Sequence, residues 1–362
     1  MKNVLIVTDV DFWLKGAGHR TRIAALVDYL SANCNLSIVY AAPVGTYAVE
    51  ALSRMQNISF FFLDEKKRLS LEESGMKFER FMKGKKFDSI IIEYIHNSFF
   101  LEYLTHETQL ILDAHDIISD RSEAFRDFNY AGELFEISRD NEAKIMSYYD
   151  FVLLLTAYDI QRFNQLAITT TALLVPHPSK TVGNEIRREV KNIVFIASEY
   201  LPNVDGIKFF IENCWHKITT RFSVNLLIYG NVCRMLKAAP DQRIFLMGYV
   251  EDLKEAYHQA DIIINPVRFG AGLKIKNIEA LANGLPLLTS LHGSRGLDSG
   301  IGTAFLVADQ PDEFIAAISD LINNYELRMK LGAQASLFIE DNFNEDRCFK
   351  PLLDVINGIT AS

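Results

Sequence analysis

The chain contains 362 residues, of which 49% are hydrophobic and 23% are charged, and this predicts about two folded domains and no disordered tract. The net charge of −9 argues against a general nucleic-acid-binding protein, which normally presents a basic surface. The four cysteines lack CxxC spacing, and no apolar run reaches the roughly 18 residues of a membrane span. We therefore expect no zinc site, no disulfide framework and a cytoplasmic location.

The first half of the chain is predicted to form a doubly wound parallel sheet. Its opening strand, Val4 to Thr8, is a continuous apolar run, and a loop with Gly16 and Gly18 leads to a helix from about His19 to Leu30. The glycine spacing is not GxGxxG, so it does not indicate a dinucleotide site. Further strands, alternating with helices, are predicted at Leu36–Ala41, Ile58–Leu63, Ser89–Tyr94, Leu110–Asp113 and Phe151–Thr156.

Two acidic residues, Asp9 and Asp11, follow the opening strand. An Asp-x-Asp pair can hold a divalent metal against a nucleotide diphosphate. The sequence shows no acidic or histidine partner at a telling spacing, so we favour two loop acids that end a strand. We predict that the protein has no metal site.

A basic amphipathic stretch, LEESGMKFERFMKGKK, lies between two of the predicted strands. Its apolar residues Met76, Phe78, Phe81 and Met82 are interleaved with lysines and an arginine, a pattern compatible with an anionic membrane surface. We favour a solvated helix whose apolar stripe faces the core.

His115 comes directly after the short strand LILD and is followed by Asp116. A lone histidine is most often structural, but the carboxyl ends of parallel strands border the crevice in which ligands bind. We expect Asp116 to orient His115 or to help bind an acceptor. A long polar helix is predicted next, from about Ser122 to Ser147.

The polar segment after VPHPSK is predicted to separate two domains, residues 1–182 and residues 183–343. The second half repeats the alternation of strands and helices. Its strands are predicted at Ile193–Ala197, Val224–Tyr229, Ile244–Met247, Ile262–Asn265, Leu285–Thr289 and Ala304–Val307.

The segment from Ile262 to Thr289 predicts a strand, a loop with Gly270 and Gly272, a helix from about Lys274 to Asn283, and a second strand. Glycines let the loop backbone approach a ligand, and the helix N-terminus that follows favours an anion such as phosphate.

Lys276 and Glu279 lie one turn apart on this helix, and they have two interpretations. The simpler is a surface ion pair worth about 0.2–0.5 kcal/mol. However, Lys274 and Lys276 occupy the first turn, which is the unfavourable end of the helix dipole for cations, and a bound anion would remove that conflict. We favour a nucleotide site in which Lys276 binds a diphosphate and Glu279 accepts hydrogen bonds from ribose hydroxyls.

The block FGAGLKIKNIEALANGLPLLTS, followed by HGSRGL, resembles the donor-binding signature of nucleotide-sugar glycosyltransferases of the GT-B fold, in particular glycosyltransferase family 4. The resemblance extends to EYLPNVDGIKFFIENCW, LLIYGN and FLMGYVEDLKEAYHQADIIINP, and more weakly to VLIVTDVDFWLKGAGHRTRIAALVDYL and LILDAHDIIS. It implies two Rossmann-like domains that face each other across a cleft. It also implies that a terminal helix, about residues 344–362, packs back onto the first domain.

The resemblance implies a role for each matching residue. His115 would lie by the donor sugar, Lys276 would stabilise the leaving diphosphate, and Glu279 would bind ribose. Other donor-site residues would be Arg268, Gly270, Ala271, Gly272, Leu273 and Lys274, with Gly248, Tyr249 and Val250 beside the base. Residues Asp11, Gly16, Gly18 and Arg20 would form a loop on the acceptor side.

The implied reaction transfers a sugar from a nucleotide diphosphate sugar to a hydroxyl of a saccharide, lipid-linked or protein-linked acceptor. Retention of configuration, no metal and no cofactor are expected with it, and peripheral contact with a membrane stays an alternative. One departure concerns sugar recognition, because Ala271 occupies the position of the first Glu of the E-x7-E motif of many relatives. A nucleotide-sugar epimerase of the same fold and a catalytically silent sugar-binding subunit remain alternatives.

Overall fold

The computed structural model describes residues 1–14, 17–44, 57–63, 69–104, 107–132, 134–236 and 243–359, together with Ala48, Leu52 and Met55. The described residues divide into two compact units. The first contains residues 1–14, 19–177 and 345–359, and the second contains residues 178–344 with Ala17 and Gly18. The division in the linker therefore falls between His177 and Pro178, five residues before the predicted position.

The first unit is built on a seven-stranded sheet in which all paired strands are parallel. Its strands are β1 (Asn3–Thr8), β2 (Asn35–Tyr40), β3 (Ile58–Phe62), β4 (Ser89–Glu93), β5 (Gln109–His115), β6 (Phe151–Leu154) and β7 (Thr171–Leu174). Their order is β3-β2-β1-β4-β5-β6-β7. The order in which successive strands are added to the sheet thus reverses between β1 and β4. Ligands of open parallel sheets bind at such a point.

Helices connect these strands. They are α1 (Gly18–Asn33), α2 (Leu71–Met82), α3 (Ile118–Asp127), α4 (Arg139–Met146) and α5 (Ala157–Asn164), with a 3₁₀ segment at Ile95–Tyr103. The predicted long helix at 122–147 is wrong, because two helices occupy this part of the chain. Asn129 and Gly132 adopt positive φ angles of 62° and 78°, which a continuing right-handed helix does not allow.

Helix α2 shows which interpretation of the amphipathic stretch is correct. Phe78, Phe81 and Met82 lie in the core of the first unit, whereas Met76 is exposed. The predicted core-facing stripe is therefore confirmed for these three residues. Among the described residues, no helix combines the length and apolar character needed to cross a bilayer.

The second unit has a six-stranded sheet, again with all paired strands parallel. Its strands are β8 (Asn192–Ile196), β9 (Asn225–Tyr229), β10 (Ile244–Gly248), β11 (Ile262–Asn265), β12 (Leu287–Thr289) and β13 (Leu306–Val307). The order β10-β9-β8-β11-β12-β13 repeats the reversal of the first sheet. Two doubly wound, Rossmann-like units confirm the predicted fold class.

The helices of the second unit are α6 (Leu201–Phe210), α7 (His216–Thr219), α8 (Leu253–Gln259), α9 (Ile275–Ala282), α10 (Pro311–Asn323) and α11 (Tyr325–Asn342). A π-helical segment, Ile211–Trp215, joins α6 to α7. Helix α12 (Glu345–Ile356) belongs to the first unit. There, Phe349 packs against the ring of Tyr29 and beneath the guanidinium of Arg22.

Gly206 allows α6 to lie directly against the chain that follows β11. A Cβ atom at this position would be 2.6 Å from the carbonyl oxygen of Pro266 and 2.9 Å from its carbonyl carbon. Since these are backbone atoms, they cannot rotate away as a side chain would. The close approach brings the beginning of α6 to the loop that carries Gly270.

We therefore expect Gly206→Ala to destabilise the second unit by about 1–3 kcal/mol, the usual cost of overpacking. The melting temperature should fall by several degrees in scanning calorimetry, since about 1 kcal/mol shifts it by roughly 2–4 °C at this domain size. Lys208→Ala, on the exposed side of the same helix, is the control. Equal melting temperatures for the two variants would contradict this packing argument.

Candidate functional site

The loop between β11 and α9 has the backbone form that close approach to a ligand requires. Gly270 and Gly272 have φ angles of 108° and 68°, a region that residues with a Cβ atom rarely adopt. Helix α9 then begins at Ile275 with no side-chain cap at Lys274. Uncapped N–H groups at a helix N-terminus favour an anion.

Lys276 and Glu279 are bound to different neutral partners, not to each other. The Lys276 ammonium donates to Asn203 Oδ1 at 2.5 Å and lies 5.0 Å from the centre of the Phe195 ring. Glu279 Oε2 accepts a hydrogen bond of 2.8 Å from the Tyr257 hydroxyl. The ion pair of the simpler interpretation is therefore not formed in the structure.

The surroundings of both groups disfavour their charged forms. Burial, together with the nearby ammonium of Lys274, lowers the pKa of Lys276 to about 7. Burial likewise raises the pKa of Glu279, although Tyr257 and Lys276 act against it. Each side chain keeps a partly exposed surface while protein packs closely around it. Shifts of this kind, near the start of a helix without a side-chain cap, are typical of ligand-binding residues.

The other two predicted cations of this loop, Lys274 and Arg268, are bonded to other groups of the protein. The Lys274 ammonium donates to the carbonyls of Ala271 and Gly272 at 3.0 and 2.8 Å. Arg268 forms a two-pronged ion pair with Asp205, at 2.9 and 2.8 Å. Lys274 thus braces the loop, and Arg268 ties it to α6.

A buried polar network holds the loop after β12 against the loop after β11. Asn277 of α9 accepts from Asn265 Nδ2 at 2.8 Å and donates to the Gly293 carbonyl, also at 2.8 Å. Thr289 Oγ1 donates to the Asn265 carbonyl at 2.9 Å, and Ser290 donates to the Val267 carbonyl. The network fixes the segment HGSRGL beside the glycine loop.

The predicted base-binding residues lie at the end of β10. Gly248 is the last residue of that strand and has a φ angle of 75°. Tyr249 is exposed, Val250 is half-buried and Leu273 is buried.

In the first unit, His115 is bound by a residue that the sequence analysis did not single out. Its Nε2 lies 2.9 Å from Glu93 Oε2, and Glu93, at the end of β4, is fully buried. Asp113 is also fully buried and lies 3.2 Å from the guanidinium of Arg22 and 3.9 Å from His115 Nε2. Four ionisable side chains thus meet at the carboxyl ends of β4 and β5.

Two residues of this region have strained backbones. His115 and Tyr94 have φ angles of 65° and 62°, which cost of order 1–3 kcal/mol each for residues other than glycine. Their rings stack at 4.3 Å with 9° between the planes, and the His96 ring stacks on Tyr94 at 5.6 Å. Such strain is most often found at functional sites.

Asp116 is not the partner of His115. Its carboxylate binds Arg121 at 3.0 Å, so the expectation that Asp116 orients His115 is wrong. Asp11 forms a two-pronged ion pair with Arg20, at 2.6 and 2.8 Å, and Gly18 begins α1. Gly16 lies outside the described residues.

The Asp-x-Asp pair has a histidine partner that its spacing did not reveal. Asp9 accepts from Asn97 at 3.0 Å and lies 3.0 Å from His96 Nε2, while Asp11 binds Arg20. The two carboxylates therefore have different partners. The one group of three possible metal ligands within the described residues is Glu93, Asp113 and His115, and there the guanidinium of Arg22 already supplies a cation.

An open polar cavity of about 500 Å³ lies in the first unit. Charges of both signs line it, contributed by α3 and by the segment that leads into α4. The lining residues are Ser119, Asp120, Glu123, Arg126, Glu136, Ile137, Ser138 and Arg139. Carboxylates and guanidinium groups side by side are suited to a ligand rich in hydroxyl groups.

Some of these site residues carried a sequence signal. Glu93 is the one charge in the apolar run SIIIEY, and a charge in a buried strand needs a partner. Asn203 and Tyr257 lie inside the blocks EYLPNVDGIKFFIENCW and FLMGYVEDLKEAYHQADIIINP, although their pairing with Lys276 and Glu279 depends on the tertiary fold. Asn277 had no signal beyond its place between Lys276 and Glu279.

Part of the chain matches a known protein family. The profile of the family described as Glycosyl transferases group 1 matches residues 190–324, which include the glycine loop and α9. An uncharacterized 44.6 kDa protein of the cps region of Klebsiella pneumoniae is 21% identical over 330 residues, covering 83% of this chain and 82% of that protein.

Two solved structures share the fold over nearly their whole length. Sucrose-phosphate synthase from Thermosynechococcus elongatus superposes with a TM-score of 0.75 at 12% identity, covering 99% of each chain. TarM of S. aureus, solved in complex with fondaparinux, alpha-GlcNAc-glycerol and UDP, has a TM-score of 0.78 at 13% identity, covering 99% of this chain and 100% of that one.

The fold and the family match together define a glycosyltransferase with GT-B architecture. The match to the group 1 glycosyl transferases covers residues 190–324, and the similarity to solved structures covers the fold of the whole chain.

Proposed function

We propose that the protein transfers a sugar from a nucleoside diphosphate sugar to a hydroxyl group of a saccharide acceptor, free or linked to lipid or protein. The observation that carries this proposal is the pair Lys276 and Glu279. They lie one turn apart at the start of α9, each bonded to a neutral group, so a diphosphate and a ribose can engage them without first breaking an ion pair.

The chemistry that these residues support is departure of a diphosphate. Negative charge grows on the leaving phosphate oxygen as the glycosidic bond breaks, and cations or N–H donors placed there lower the barrier. Lys276 and the N–H groups at the start of α9 would supply this stabilisation. We propose that no metal is needed and, from the sequence resemblance, that the anomeric configuration is retained.

For the acceptor we propose the first unit. Its cavity of about 500 Å³ has room for a sugar, and its carboxylates and guanidinium groups match sugar hydroxyls. A lipid-linked acceptor would bring the protein to the cytoplasmic face of a membrane. The exposed side chains of Leu71, Met76 and Lys83, on and next to α2, are the residues that we propose for that contact.

The proposal is tested by a thermal-shift screen of nucleoside diphosphate sugars, followed by a transfer assay with those that bind. We expect a uridine nucleotide to bind, as one does in the TarM complex, and nucleoside diphosphate release to require a saccharide acceptor. An epimerase would convert the donor without any acceptor. A silent binding subunit would bind the donor and release no diphosphate with any acceptor tried.

Transfer activity should be unchanged in excess chelator, because Lys276 can supply the positive charge that a metal would otherwise bring to the diphosphate. The measurement is the initial rate of nucleoside diphosphate release with and without EDTA, with magnesium or manganese added back. A rate that collapses in EDTA and recovers with either metal would overturn metal independence.

A further inference from the structure

We propose that Glu93 is the positioning residue for His115, holding a proton on Nε2 so that Nδ1 is the ring nitrogen offered to a ligand. The inference rests on the proposed function in assigning His115 to sugar transfer, but its structural part stands on the first unit alone. It begins from the hydrogen bond of 2.9 Å between His115 Nε2 and Glu93 Oε2.

A carboxylate can only accept a hydrogen bond, so an ionised Glu93 requires a proton on His115 Nε2. A protonated Glu93 would instead donate to Nε2 and leave the proton of a neutral ring on Nδ1, which is the state that contradicts the proposal. In both states Glu93 occupies Nε2. Nδ1 is therefore the nitrogen through which the ring can meet a ligand.

The charges around the ring favour its positively charged form. Glu93 and Asp113 are negative when ionised, Arg22 is positive, and all three are fully buried. Two carboxylates and one guanidinium leave one negative charge, which is costly inside a protein. A second proton on the His115 ring, which places N–H groups on both Nε2 and Nδ1, brings the sum to zero.

The directions of the two pKa shifts agree with this count. Burial and the neighbouring Asp113 raise the pKa of Glu93. Burial alone would lower the pKa of His115, but the carboxylates of Asp113 and Glu93 outweigh it and raise that pKa. Arg22 acts against the rise, and the charge of His115 lowers the pKa of His19. Tyr94 covers one face of the ring.

The backbone indicates that the ring position is imposed by its surroundings. His115 keeps a left-handed conformation, φ 65°, that its side chain does not favour. The stacked Tyr94 ring and the Glu93 carboxylate come from adjacent residues at the end of β4. The end of β4 thus fixes both the face and the edge of the imidazole.

The test is nitrogen NMR of the full-length protein without substrate, followed by kinetics. In the wild-type protein we expect the His115 ring to carry protons on both nitrogens up to a pH above the usual histidine range, and to keep the Nε2 proton when the Nδ1 proton is lost. Glu93→Gln should lower the pKa of His115. It should reduce kcat at least about tenfold, since a misplaced tautomer removes most of a histidine's effect, with the donor KM within about twofold.

Asp113→Asn is the matched control. It removes an equally buried charge, but Asp113 lies 3.9 Å from Nε2 and next to Arg22. We expect it to lower the pKa of His115 while leaving the Nε2 proton in place and kcat reduced less than in Glu93→Gln. Equal kcat losses in both variants would show a charge effect only and overturn the positioning role.

The wild-type spectrum keeps the inference falsifiable if either variant fails to fold. A neutral His115 with its proton on Nδ1 would overturn it without any variant. The spectrum requires no turnover, so a protein that transfers no sugar but shows the Nε2 proton would refute the proposed function and not the pairing.

Discussion

Lys276→Ala is expected to lower kcat about a hundredfold or more, because removing one preorganised donor to a developing anion costs about 10²–10³ in kcat. The effect of this substitution on affinity should depend on the ligand. Affinity for the nucleoside should stay within about twofold, whereas affinity for the nucleoside diphosphate should fall more than tenfold, since hydrogen bonds to charged groups contribute about 1.5–3 kcal/mol. Calorimetric titration with both ligands measures the difference.

Lys276→Met is the control for packing. The methionine side chain can still lie over the Phe195 ring, where the ammonium now lies at 5.0 Å, but it carries no charge. We expect it to bind diphosphate as weakly as Lys276→Ala does. Diphosphate affinity close to wild type in the methionine variant would mean that packing, not charge, explains the alanine result.

The pKa of Lys276, lowered to about 7 in the free protein, adds a pH dependence with a definite sign. A neutral lysine must take up a proton before it can bind a diphosphate as a cation. Affinity of the wild-type protein for nucleoside diphosphate should therefore fall from pH 7 to pH 9. The ligand's last phosphate ionisation, near pH 6, is already complete there.

Proton uptake is measured directly by titration calorimetry in buffers of different ionisation enthalpy. Wild-type protein at pH 8 should take up a proton on binding the diphosphate, and Lys276→Ala should not. Equal proton uptake in both proteins would show that Lys276 does not bind the phosphates.

Glu279→Ala is expected to weaken nucleoside and nucleoside diphosphate binding alike, each more than tenfold. The reason is that a ribose is present in both ligands, and hydrogen bonds to a carboxylate contribute about 1.5–3 kcal/mol. Tyr257→Phe is the matched control, because it removes the hydroxyl that holds Glu279 Oε2 at 2.8 Å and leaves the carboxylate itself. We expect this control to lose only several-fold in affinity.

The two α9 variants also decide between the nucleotide site and a surface ion pair. An ion pair would contribute at most about 0.5 kcal/mol to stability and nothing to binding. If Glu279→Ala and Lys276→Ala both retain wild-type affinity for nucleoside and diphosphate, the donor site has been assigned to the wrong helix.

Much of the fold followed from local pattern. The apolar run Val4–Thr8 became β1, and the run at 262–265 became β11, because strands buried on both faces need apolar side chains at every position. Alternation of such runs with helices led to two parallel sheets. The prediction of a long helix at 122–147 was wrong because the positive φ angle at Asn129 depends on the surroundings of that one residue. The composition of the whole segment does not reveal such a single conformation.

The donor loop was also visible from sequence. Gly270, Gly272, Lys276 and Glu279 stand within ten residues, so helix geometry alone puts the last two on one face. The sequence did not predict which groups the side chains of Lys276 and Glu279 contact. Whether Lys276 meets Glu279 or Asn203 depends on α6, which lies about seventy residues away in the chain and is brought there by the close contact at Gly206.

The sequence by itself determined the class of fold, the glycine loop and helix to which we assign the donor site, and the presence of a histidine at the end of β5, because these depend on residue types a few positions apart. Only the tertiary structure decided that Glu93 holds His115, that Arg268 belongs to Asp205, and that Asp116 belongs to Arg121. The physical reason is that a charged side chain reaches several partners of similar energy. Which of them it meets is set by the packing of strands and helices far apart in the chain.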